Sequence, residues 1–166
     1  MKKLTVFLAI FILLFTVFLP QYNDPCQAIT KNALQRALYA TVNIIAPIEG
    51  TDRASSGSGT ILTPDGYILT NMHVMADLQS GQLYNSEGLA GVAINVDLKS
   101  APQIAFIAKL VDGDLDLDLA LLKIVAFIDG SELPPDLDLI TIPIGDSDTL
   151  IPGDKIYVIG FPALGG

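Results

Sequence analysis

Apolar residues in this chain fall into short blocks separated by turn-forming residues, and only one block is long. Val92, Ile94, Val96 and Leu98 alternate with Ala93, Asn95 and Asp97. A period of two is the mark of a strand with one face buried. Tyr39–Ile48 is rich in β-branched residues and is broken by Pro47, which predicts another strand. Gly59–Leu62 and Tyr67–Asn71 flank Pro64-Asp65-Gly66 and predict a hairpin, since Pro favours the turn's leading position and Gly accepts its dihedrals. Pro102–Val111, Leu119–Val125, Ile140–Ile144 and Lys155–Phe161 read as further strands. Glu49–Ser58 and Ala76–Gly91 read as loops, and Pro134-Pro135 as a connection. Thr30 is placed to cap a short helix through Leu38, with Ala33, Leu34, Ala37 and Leu38 on one side. Many short strands with turns between them predict an all-β barrel or sandwich.

The long block is Leu4–Leu19, preceded by Lys2 and Lys3 and ended by Pro20. As a helix it spans about 24 Å, short of the roughly 30 Å of a bilayer's hydrocarbon core. Cys26-Gln27-Ala28 sets small residues where a signal peptidase reads. Residues 1–28 are therefore expected to be a cleaved signal peptide, with an uncleaved anchor as the alternative. Residues 29–166 are expected to form the domain. The expected location is the bacterial periplasm, cell envelope or exterior, with membrane contact only through residues 1–28 if they are retained.

The chain carries nine basic and eighteen acidic residues. Without Lys2, Lys3 and Asp24 it has 7 basic and 17 acidic residues, a net charge of −10. That balance argues against nucleic acid as a partner, because phosphates demand a basic surface. Cys26 is the sole cysteine, so no disulfide forms within the chain. The residues before it, Asn23-Asp24-Pro25, do not make the small apolar lead-in of a lipid-modified cysteine.

His73 is the sole histidine. It follows the predicted hairpin among small and polar neighbours, a place suited to a general base, because imidazole exchanges protons near neutral pH. Asp112, Asp114, Asp116 and Asp118 alternate before an apolar strand. Read alone, they leave open a solvated acidic loop, a weak calcium site and a carboxylate partner for His73. An EF-hand reading fails, because Leu117 stands where glycine is needed and Lys123 where the terminal glutamate belongs.

Three words together resemble the trypsin-like serine proteases, most closely the HtrA/Deg branch. The first is Ser58-Gly59-Thr60 with Gly66-Tyr67-Ile68-Leu69-Thr70-Asn71-Met72-His73-Val74. The second is Asp118-Leu119-Ala120-Leu121-Leu122-Lys123-Ile124. The third is Ile144-Gly145-Asp146-Ser147-Asp148, then Pro152-Gly153-Asp154 and Val158-Ile159-Gly160-Phe161-Pro162. The resemblance covers roughly residues 40–166. It implies the first six-stranded barrel of a double β-barrel, truncated before the second. It also implies a serine endopeptidase acting on polypeptides, with His73 as catalytic base, Asp118 as its carboxylate partner, and no metal or cofactor.

The family's nucleophile word, Gly-x-Ser-Gly-Gly, is absent. Ser147 is followed by Asp148-Thr149 rather than by the glycines an oxyanion hole needs, so a turn role is expected there. Ser55, Ser56 and Ser58 belong to the small-residue stretch before the hairpin. The chain is therefore expected to be an N-terminal fragment, inactive as given. A non-catalytic half-domain that binds or regulates, and a secreted acidic calcium-binding β-domain, are the alternatives from other classes.

Overall fold

The computed structural model describes residues 30–161. The expected leader, residues 1–28, lies outside them. Among the described residues no helix is long and apolar enough to cross a membrane.

Helix α1 runs Lys31–Ala40. Thr30 caps it, with its side-chain oxygen accepting the Ala33 N–H at 3.2 Å. The helix stops where the β-branched run begins. Thr41 returns its backbone N–H to the Ala37 carbonyl, and its hydroxyl donates to the same oxygen at 2.8 Å.

Six strands follow: β1 Thr41–Pro47, β2 Ala54–Ile61, β3 Tyr67–Thr70, β4 Leu89–Ile94, β5 Gln103–Asp114 and β6 Leu119–Phe127. They close into one antiparallel barrel in the order β1-β2-β3-β6-β5-β4, with β4 returning to β1. Closure leaves no open sheet edge. Alternate residues fill the interior: Val42, Ile44 and Ala46 from β1, and Ala120, Leu122 and Ile124 from β6. Ile61, Ile68, Val92, Phe106 and Ala108 complete it from the other strands.

The all-β class and the six-stranded barrel agree with the sequence reading, and several element boundaries are corrected. Strand β2 already begins at Ala54, inside the stretch expected to be loop. Its Ser and Gly residues have little strand preference, but β1 pairs them one by one from Pro47↔Ala54 to Thr41↔Thr60. Strand β4 covers 89–94 rather than 92–98. A register shift between Val92 and Ala93 breaks the two-residue alternation, so both are buried while Val96 and Leu98 face solvent. Residues 140–144 and 155–161 are not strands. The closed barrel offers them no edge whose N–H and C=O groups they could pair, and Ile144 and Val158 are exposed.

The predicted hairpin turn is present. The Gly66 N–H bonds the Thr63 carbonyl at 3.0 Å, and Gly66 has φ 99°, a value that favours glycine. Lys123 on β6 locks the turn from the neighbouring strand, with its Nζ 2.6 Å from Asp65 Oδ2 and 4.5 Å from the centre of the Tyr67 ring.

One close approach ties β2 to the turn that carries His73. A Cβ at Gly57 would overlap Val74 Cγ2. Gly57→Ala must push Val74 out of its place, and overpacking of this kind costs about 1–3 kcal/mol. Gly145 has open space around it. Urea unfolding of the full chain should give a lower midpoint for Gly57→Ala and an unchanged one for Gly145→Ala. Equal midpoints would mean that the β2 contact is not tight.

Candidate active site

The site forms where β3 and β6 run side by side. Their pairing sets Thr70 opposite Ala120. Chain extending beyond Thr70 and chain arriving at Leu119 therefore meet at one end of the barrel. Beyond Thr70 the backbone makes a 3₁₀ turn, Met72–Val74, with Met72 and Val74 buried and His73 turned outward. Thr70 is itself buried, and its hydroxyl donates to the Ser58 carbonyl at 2.8 Å, pinning the end of β3 to β2.

On the other side, β5 and β6 form a hairpin whose last pair is Asp114↔Leu119, so Leu115–Asp118 is its loop. Asp114 folds the loop from within: its Oδ1 accepts the N–H groups of Asp116 and Leu117, both at 2.9 Å. Asp118 closes the loop with φ 52° and is the only non-glycine with positive φ among the described residues. Asp and Asn tolerate this left-handed region better than most residues.

The two segments meet through Asp118. Its Oδ2 lies 2.7 Å from His73 Nδ1, and its Oδ1 accepts the His73 backbone N–H at 2.8 Å. Two contacts from one carboxylate fix both the ring and its backbone. With Asp118 ionised and accepting only, the proton of neutral His73 sits on Nδ1 and leaves a lone pair on Nε2. Nε2 has no hydrogen-bond partner among the described residues, and the imidazole is 55% exposed. The arrangement can take a proton at Nε2 while Asp118 stabilises the imidazolium.

The backbone N–H of His73 is the largest influence on Asp118. With the imidazole contact second, it holds the carboxyl below the ordinary aspartate range.

The structure thus brings together His73 and Asp118 and leaves Asp116 out of the pair. Asp116 donates its backbone N–H to Asp114 instead. Among the described residues no group of three or more His, Cys, Asp or Glu side chains could hold a metal ion. Ser147 begins a 3₁₀ turn, Ser147–Thr149, capped by the Asp146 side chain, and has no hydrogen bond to His73. Ser56 donates to Asn43 Oδ1 at 2.9 Å, and Ser58 Oγ accepts the Phe161 N–H at 2.7 Å; neither hydroxyl is hydrogen-bonded to the imidazole. The sequence reading assigned no role to Asn71. Its side-chain amide reaches Asp118 twice, at 2.9 Å to the backbone oxygen and 3.2 Å to Oδ2. The only signal for it was its place in Thr70-Asn71-Met72-His73.

A barrel with a histidine–carboxylate pair at one end defines a trypsin-like protease half-fold, and residues 57–166 match the model of the trypsin-like peptidase domain. The chain belongs to that family, in its HtrA/DegP branch. It is 39% identical over 119 residues to a probable periplasmic serine endoprotease, DegP-like, from a Marinomonas species, covering 70% of this chain and 20% of that protein. It is 36% identical over 134 residues to the putative protease Do-like 14 of Arabidopsis thaliana, covering 79% of this chain and 28% of that protein. A solved HtrA-type protease, AlgW with tripeptide, is 31% identical with a TM-score of 0.48, covering 72% of this chain and 31% of that one. The chain thus spans about a fifth to just under a third of the length of these relatives.

The lowered carboxyl of Asp118 has a consequence for stability. A carboxyl whose folded pKa lies below its unfolded value contributes stability above the unfolded value, about 3.9. That contribution is lost as pH falls through the folded value. The thermal midpoint of the wild-type chain should exceed that of Asp118→Asn at pH 5–6. The gap should close as the pH is lowered below about 4. The other aspartates are common to both proteins, so the difference isolates Asp118. A gap that persists unchanged at pH 2 would contradict the assignment.

Proposed function

We infer that this chain supplies the base-and-carboxylate half of an exported serine endopeptidase that cleaves polypeptides through an acyl-enzyme. The observation that carries this reading is the 2.7 Å contact between His73 Nδ1 and Asp118 Oδ2 with Nε2 left open. In such a site His73 Nε2 removes the proton of a serine hydroxyl as it attacks the peptide carbonyl. It then returns that proton to the leaving amine. Asp118 holds the productive tautomer and stabilises the imidazolium between the two transfers. The required serine sits in Gly-x-Ser-Gly-Gly, with neighbouring backbone N–H groups for the oxyanion. No such word occurs in these 166 residues, so the nucleophile has to come from outside them. On this reading the chain by itself is inactive. Export is supported by the apolar run Leu4–Leu19 behind Lys2 and Lys3, and by relatives named as periplasmic endoproteases.

Two experiments test the reading. The purified chain should cleave no peptide substrate, and a serine-directed fluorophosphonate should leave Ser147 unlabelled by mass spectrometry. Stoichiometric labelling of Ser147 would refute its assignment as a turn residue.

In an enzyme extended to include the nucleophile word, Asp118→Asn should favour the wrong tautomer. By analogy with the same change in the triad of this fold, kcat should fall roughly 10⁴-fold, about 5.5 kcal/mol of transition-state stabilisation. Asp116→Asn should cost far less. His73→Ala should remove the base altogether. A crippled Asp116→Asn beside a near-normal Asp118→Asn would overturn the choice of carboxylate.

A further inference from the structure

Asn71 occupies the capping position of the 3₁₀ turn Met72–Val74, with extended dihedrals of φ −86° and ψ 148°. An asparagine there ordinarily turns its side-chain oxygen back to accept an N–H of the first turn. Here it makes no such bond. The His73 N–H that it could take is occupied by Asp118 Oδ1 at 2.8 Å. The carboxylate has taken over the capping role, and the asparagine side chain is aimed across the gap at Asp118.

Both atoms it meets there, the Asp118 backbone oxygen at 2.9 Å and Oδ2 at 3.2 Å, are acceptors. Only the NH₂ side of the amide can face them, and it has two hydrogens to donate. The shorter bond goes to the backbone of the residue with the left-handed φ of 52°. That conformation disfavours a residue with a Cβ and needs outside support. Relaxed to negative φ, Asp118 would aim its carboxylate elsewhere.

We propose that Asn71 is a positioning residue for the His73–Asp118 pair: its side-chain amide holds the left-handed backbone of Asp118 and so aims the carboxylate at His73 Nδ1. This rests on the pair proposed above as the base and its partner. Asn71 makes no hydrogen bond to the imidazole; its side-chain bonds go to Asp118. Its effect on proton transfer passes wholly through Asp118. It is also exposed, so its replacement opens no cavity.

The test uses the full chain, kept in mild detergent because of its apolar N-terminal run. His73 is the sole histidine, so labelling histidine ring nitrogens gives one unambiguous set of NMR signals. The wild type should show a slowly exchanging, far-downfield Nδ1–H resonance, with Asp118 Cβ at a shift typical of left-handed backbone. Asn71→Ala should lose the resonance and move the Asp118 Cβ shift, with circular dichroism unchanged. Asn71→Asp has the same shape but no hydrogens to donate near neutral pH. It should behave like Asn71→Ala, and it serves if the alanine variant is poorly folded. Asn71→Gln carries the same amide and should keep most of the signal.

A wild-type resonance in both Asn71→Ala and Asn71→Asp would overturn the proposal. So would its loss in Asn71→Gln with the fold intact, because the amide would then not be the agent. Absence of the resonance from the wild type would refute the His73–Asp118 pair, and the proposed function with it. That outcome is distinct from a failure confined to the Asn71 variants.

Discussion

Thr70 lies opposite Ala120 in the ladder between β3 and β6, and the whole site depends on that register. His73 and Asp118 are 45 residues apart in the chain. Neither is in a regular strand. Each sits just beyond a strand end, so their meeting is a matter of where the two strands stop relative to one another. A slip of one residue would turn every side chain of one strand to the opposite face. Ile68 would leave the core if β3 slipped, or Leu122 if β6 did, and Asp118 would no longer meet His73. Burial of Ile68, Leu122 and Ile124 therefore enforces the geometry of an exposed histidine and a half-buried aspartate. The core supplies the energy, and the pair occupies the place the core dictates.

Around that register the structure adds local restraints of a different kind. Thr70 joins the end of β3 to the Ser58 carbonyl, and Gly57 lets β2 lie against Val74. Met72 and Val74 are buried on either side of His73, so the imidazole rides on a turn that is anchored from beneath. Asp118 is restrained by a hairpin loop that Asp114 folds and by the bonds from Asn71 and His73. The run of alternating aspartates thus divides its labour. Asp114 builds the turn, Asp116 gives its backbone N–H to it, and Asp118 reaches His73.

The described chain beyond β6 has a different character. From Ile140 onward it carries exposed Ile144, Ile151, Ile156 and Val158 and forms no ladder. Its links to the rest of the fold include two specific hydrogen bonds: Arg36 Nε of α1 donates to the Thr141 carbonyl at 2.6 Å, and Ser58 Oγ of β2 accepts from Phe161. Apolar content therefore does not suffice to make a strand. The backbone groups must also find partners, and a closed barrel has none to spare.

The sequence by itself determined the local features whose causes lie within a few residues. Thr30 was legible as a helix cap, because capping needs only a side-chain oxygen and an N–H three residues on. The Pro64-Asp65-Gly66 turn was legible from its dihedral demands. The strands that became β1 and β6 were legible, the first from its β-branched content and the second as a short apolar block, and His73 stood out as a lone imidazole beyond a hairpin. Choosing Asp118 over Asp116 needed the resemblance to a family, since four alternating aspartates look alike along the chain. Only the tertiary structure decided the matters that depend on a partner strand. It drew Ser55, Ser56 and Ser58 into β2 against their weak preference, broke the alternation at Val92, and withheld strand structure from Ile140–Ile144 and Lys155–Phe161. It alone showed Asn71 bonded to Asp118, because a hydrogen bond between residues 47 apart leaves no trace in local pattern. Turns and caps are settled by neighbours in sequence, whereas pairing, and the left-handed aspartate that pairing sets beside His73, are settled by neighbours in space.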